Sequence, residues 1–177
     1  MSVLVVLATA AEAEYVPVGL RMVITGLGKT AAAVATTQAI LQERPSLVVN
    51  VGSAGALREG ISGLFEIGTV VNHDMNADAI KALGYDPRES LIIGPSETVL
   101  ASGDVFVTDP VVRDRLAEQA HLVDMEGYAV AYACAELGVP LRMVKHVSDS
   151  ADETALDWPS VVALSARAVG DWLAHNL

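Results

Sequence analysis

Val3, Leu4, Val5, Val6, Leu7 and Ala8 place six apolar side chains in succession, without the alternation that marks a strand wetted on one face. A strand of this kind is buried on both faces, so helices must cover a parallel or mixed sheet above and below. The same signal returns at Arg21 to Thr25, at Ser46 to Val51 and at Leu141 to Val147. Shorter strands are expected at Thr69 to Asn72, Leu91 to Ile93, Thr98 to Ala101 and His121 to Val123. Helices are expected over Ala31 to Glu43, closed by Pro45, and from Asp109-Pro110 to about Gln119, with the carboxylate as cap and proline at the first position. Two more run from about Glu126 to Leu137, ended by Gly138 and Pro140, and over Ser160 to Ala174. The fold class is therefore α/β, one domain over residues 1–177 built as an open mixed sheet flanked by helices. Ligands of such sheets sit beyond the carboxyl ends of the strands.

Composition narrows the partners. A net charge of -11 with only 11 basic residues, none clustered, excludes a nucleic-acid or anionic-membrane surface, which needs grouped Lys and Arg. A small molecule is the expected ligand. No run of about 20 apolar residues is present to span a bilayer. The single Cys134 cannot form an internal disulfide, and no basic start precedes an apolar signal core, so a soluble cytoplasmic protein is expected.

The chemistry-bearing residues gather at strand exits. Asp149 and Asp152 follow the last apolar strand. There a carboxylate serves either as a turn cap or as a group whose pKa burial raises so that it can deliver a proton. Asp124 and Glu126 flank Met125 at a helix start, where the helix dipole alone would explain an acid. Glu12 follows the first strand and, beside Glu14, reads equally as solvated surface. Gly26, Gly28 and Lys29 lack the opening glycine of a phosphate-binding Walker loop and read as turn-formers. The four histidines are too scattered for a metal site, and none is expected. Ser53 lacks the Gly-x-Ser-x-Gly frame of a hydrolase nucleophile.

Taken in order, Glu12, Thr25 to Lys29, Asn50 to Gly55, Ser102 to Phe106, and Asp124 to Glu126 with Val147 to Asp149 and Asp152 resemble the nucleoside phosphorylase and nucleosidase superfamily. The likeness is greatest to the 5′-methylthioadenosine/S-adenosylhomocysteine nucleosidases. It implies a three-layer, phosphorylase-like fold and a homodimer, with a purine nucleoside as substrate and no cofactor. By position, Asp149 looks like the acid that protonates the purine at N7, and Glu12 like the residue that activates water. Glu126 resembles the ligand of the ribose hydroxyls and Met125 the sugar's packing partner. Phe106 and the backbone of Val107 resemble the purine wall. Asp124 and Ser53 fall in the matching substrate-binding segments, and Trp158 stands where the family has an aromatic near the 5′ group. The phosphorylases carry Arg just before the Gly-Ser of the third segment, where this chain has Asn50 and Val51, so water is expected as the nucleophile. Alternatives are a futalosine nucleosidase, a purine nucleoside phosphorylase, and a non-catalytic nucleoside-binding module.

Overall fold

The computed structural model describes residues 2–177. In chain order its elements are β1 (Val3–Leu7), β2 (Arg21–Ile24), α1 (Lys29–Glu43), β3 (Leu47–Ala56), β4 (Leu64–Glu66), β5 (Thr69–Asn72), α2 (Ala77–Ala82), β6 (Ser90–Ile92), β7 (Val99–Ser102), α3 (Pro110–Ala117), β8 (Leu122–Asp124), α4 (Gly127–Leu137), β9 (Leu141–Asp149), a 3-10 turn at Glu153–Asp157, and α5 (Trp158–Asn176).

Among the described residues nine strands make one mixed sheet, in the order β2-β1-β3-β8-β7-β5-β6, while β9 adds to β3 and β4 to β9, which leaves β2, β6 and β4 as edge strands. The apolar run of β1 divides between two cores, as two-sided burial requires. Leu4 and Val6 pack with Ala32, Ile40 and Val130 beneath α1 and α4, whereas Val5 and Leu7 pack with Val169 and Leu173 of α5 on the other face. Helices, sheet and helix thus form three layers.

The strand β3 organises the rest. It pairs in parallel with β1 and β9, and its tip pairs antiparallel with β8. Chain leaving β4 bonds first to β9, through Ile67 N–H to Met143 O (2.9 Å), then toward β7, through Gly68 N–H to Thr98 O (3.0 Å). The pairings β3-β8-β7-β5 and β4-β9-β3 therefore curl part of the sheet back on itself. The crossing is tight: a Cβ on Gly68 would lie 1.6 Å from Ser96 O, so no larger residue fits there.

Several expected boundaries moved. The third strand was expected to end at Val51, with Gly52 to Gly55 as its exit; it continues to Ala56, because β9 and β8 supply pairing partners to those small residues. Elements β4 and α2 and the 3-10 turn were not expected, and α5 begins at Trp158 rather than Ser160, with Pro159 tolerated in its first turn. The cap at Asp109 is present, its Oδ1 accepting from Val111 N–H at 2.8 Å. No helix among the described residues is long and apolar enough to cross a membrane.

Candidate active site

The ends of β1, β3, β8 and β9 open on a cavity of about 410 Å³, closed on its other sides by residues 105–107 and the start of α5. Glu12, Ser53, Phe106, Val107, Asp124, Met125, Glu126, Asp149 and Trp158 all line it. Among the described residues no Lys, Arg or His does.

Glu12 sits in the turn after β1 and is only 4% exposed. Four donors hold its two oxygens. Oε1 accepts from Ser53 N–H and Ser53 Oγ, both at 2.8 Å, and Oε2 from Thr9 N–H at 3.1 Å and Thr9 Oγ1 at 3.2 Å. Gly52 permits the approach, since a Cβ there would lie 2.9 Å from Oε1. Trp158 adds a further link by donating its indole N–H to Ser53 Oγ at 2.9 Å.

Asp149 reaches the cavity through an irregularity in β9. Val147 pairs with Ala54 and Asp149 with Gly55, which leaves Ser148 as an extra residue. Adjacent strand residues normally face opposite sides of a sheet; the bulge lets Ser148 and Asp149 both line the pocket. Ser148 Oγ donates to Asp149 Oδ2 at 2.6 Å, and Ala151 N–H to Oδ1 at 2.9 Å. Asp152 instead lies 3.5 Å from Arg113 of α3. The Arg113 side chain is thereby partly covered.

Glu126 caps no backbone of its own helix; its Oε1 accepts from Gly28 N–H at 2.8 Å, which gives the strand-to-helix turn before α1 a place in the site. Burial is the main cause that lifts its pKa to about 7, with the neighbouring Asp124 carboxylate raising it further and Gly28 N–H and Lys145 opposing. Asp124 lines the cavity, but its oxygens are engaged. They take Lys145 Nζ at 2.9 Å, Gly127 N–H at 3.0 and 3.1 Å, and the hydroxyl of Ser102. Ser102 Oγ in turn accepts from Tyr128 N–H at 2.9 Å. Burial works to lower the pKa of Lys145, but the attraction of Asp124 and Glu126 outweighs it and the pKa is raised.

Phe106 is 47% exposed at the cavity's rim, whereas Val107 is buried. Asn50 is buried behind the site and donates to Val6 O at 3.0 Å. Cys134 is remote in α4, its thiol pushed up to about 12 by burial, which leaves it inert.

Sequence reasoning missed Lys145, Ser148 as a partner of Asp149, and Thr9. A lysine amid Met143, Val144 and Val147 in a buried strand was the available signal, because a cation there demands an anion. Its partner, Asp124, had no sequence mark.

Comparison with known proteins agrees with this architecture. The phosphorylase superfamily model matches residues 90–172, a span that contains Asp124, Glu126 and Asp149. A 5′-methylthioadenosine/S-adenosylhomocysteine nucleosidase of Shewanella oneidensis is 29% identical over 182 aligned positions, covering 81% of this chain and 74% of that protein. The Helicobacter pylori nucleosidase of the same name, crystallised with a pyrrolopyrimidine-bearing pyrrolidinol, superposes with a TM-score of 0.86 at 24% identity, over 98% of this chain and 96% of that one. A futalosine hydrolase from the same organism gives a TM-score of 0.85 at 24% identity, over 97% and 95%.

Proposed function

We propose that this chain, whose residues 90–172 match the phosphorylase superfamily model, belongs to that superfamily and hydrolyses the N-glycosidic bond of a purine nucleoside of the methylthioadenosine/adenosylhomocysteine type. The observation that carries the reading is the convergence of Glu12, Glu126 and Asp149 on one cavity that no cationic side chain lines among the described residues. Breaking the C1′–N9 bond leaves positive charge on the sugar and negative charge on the departing base. Carboxylates suit the first, and a proton donor the second. In our assignment Asp149 gives a proton to N7 as the bond breaks, water attacks C1′, and Glu12 takes the proton that water loses. Glu126 accepts from the ribose hydroxyls, Met125 packs on the sugar, and Phe106 with the Val107 backbone forms the wall for the base. Asp124 then acts from behind, holding Lys145 near Glu126.

Phosphate is a poor nucleophile here, since a dianion needs cationic partners and the cavity is lined by four acids instead. Methylthioadenosine is therefore expected to release adenine and free methylthioribose at the same rate with and without phosphate. Formation of the sugar 1-phosphate would make the chain a phosphorylase. Because the fold is shared with a futalosine hydrolase, futalosine is the second substrate to assay; faster turnover of it would reassign the substrate and leave the hydrolysis intact.

The pKa of Glu126 supplies a pH signature. Ribose hydroxyls donate best to the ionised carboxylate, so kcat/KM is expected to rise through pH 7 as Glu126 loses its proton. The same raised value means that the folded state holds a proton the unfolded chain has released. This group's contribution to stability is therefore most favourable at low pH and falls as pH rises from about 4.5 to above 7. A kcat/KM profile flat across pH 6 to 8 would contradict the role given to Glu126. For assembly we propose a homodimer, supported by the exposed Leu27, Val105, Phe106 and Leu156 at the cavity mouth.

A further inference from the structure

We propose that Trp158 is a positioning residue for Glu12, acting through Ser53: its indole N–H fixes the direction of the Ser53 hydroxyl, and that hydroxyl holds the carboxylate. The inference rests on the reading of Glu12 as the residue that handles water. Its basis is hydrogen-bond arithmetic. An indole N–H only donates, whereas a serine hydroxyl has one proton to give and lone pairs to accept with. With Trp158 Nε1 2.9 Å from Ser53 Oγ, the hydroxyl must accept on that side. Its single proton then goes to the remaining partner, Glu12 Oε1 at 2.8 Å, which already receives Ser53 N–H at 2.8 Å. The carboxylate is thereby held from the β3 side by two bonds of 2.8 Å and from the β1 side by the Thr9 bonds of 3.1 and 3.2 Å.

The relay has a second consequence for the site. Trp158 opens α5, directly after the 3-10 turn that follows Asp149. The segment leaving the proposed acid is therefore tied, through Ser53 105 residues away in sequence, to the carboxylate on the opposite part of the cavity. When that segment seats, Glu12 is oriented. The indole N–H is also consumed by the protein, so the ring presents only its apolar surface to a ligand.

A double-mutant cycle tests this, with Trp158→Phe keeping a ring and removing the N–H, and Ser53→Ala removing the hydroxyl. In the unaltered background Trp158→Phe is expected to lower kcat roughly threefold to tenfold, the scale of one well-placed hydrogen bond, with KM for methylthioadenosine unchanged. In the Ser53→Ala background the same substitution is expected to change kcat by less than about twofold, because the relay is already cut. Ring packing or ligand contact would instead raise KM and act equally in both backgrounds, and that result would overturn the proposal. So would a Trp158→Phe variant with unaltered kcat. Failure of the unaltered protein to cleave any nucleoside would be a different failure, removing the proposed reaction and the relay's role in it together. A lone-tryptophan form made by Trp172→Phe reports the contact without turnover: Ser53→Ala should shift Trp158 emission, and an unshifted spectrum would also overturn the relay.

Discussion

Asp149→Asn should reduce kcat for nucleoside cleavage by about 10²–10⁴-fold, the usual worth of a positioned general acid, with little change in nucleoside affinity or in folding. The substitution is nearly isosteric. Its amide oxygen can still accept Ala151 N–H, which now donates at 2.9 Å, so the turn after β9 keeps its bond. What is lost is the ability to hand a proton to the leaving base. Single-turnover measurements with methylthioadenosine would isolate the chemical step, and thermal melts would exclude unfolding. Turnover within a few-fold of the unaltered protein would remove Asp149 from the role of acid.

Lys145→Met should be the most destabilising single change proposed here, by about 3–5 kcal/mol, because it leaves the Asp124 carboxylate buried without its cation. Lys145 and Asp124 side chains are 3% and 2% exposed, so solvent cannot make up the loss. Methionine suits the site sterically, with Met143 and Val144 already buried alongside in β9. The penalty therefore comes from charge rather than from shape. Adding Asp124→Asn to Lys145→Met should restore most of the stability, since the buried charge then disappears. Urea denaturation gives the measurement: a lowered midpoint in the single variant and a recovered one in the double. Equal destabilisation in both would mean that packing, not the ion pair, sets the cost. Losing the cation also removes a force that opposes protonation of Glu126, so the rise of kcat/KM should move to higher pH in any folded Lys145→Met protein.

The contrast between Asp149 and Lys145 explains what could be read from sequence. Features set by neighbouring residues were legible. The unbroken apolar run of β1 meant burial on two faces, and Asp109-Pro110 meant a capped helix start. Each proposed site acid had a sufficient local explanation as a cap or a surface group, and their shared placement at strand exits, together with their order along the chain, suggested a common cavity. Features set by distant pairing were not legible. Strand β4 is three residues long and exists because β9 pairs with it, and nothing within Leu64–Glu66 marks it. The strand continuation through Gly52 to Gly55 was hidden for the same reason, because glycines look like a strand exit until partners on both sides are known. Trp158 is the sharpest case. Its place near a 5′ group was suggested by likeness, yet the bond from its N–H to Ser53 depends on how α5 docks against β3.

A structure of the Asp149→Asn variant bound to uncleaved methylthioadenosine tests the central claim most directly. The account requires Glu126 at hydrogen-bond distance, about 3 Å, from the ribose hydroxyls, the substituted side chain at position 149 beside N7, and Glu12 on the side of C1′ away from the base. A nucleoside bound outside this cavity, or one inside it whose base lies away from position 149, would contradict the account.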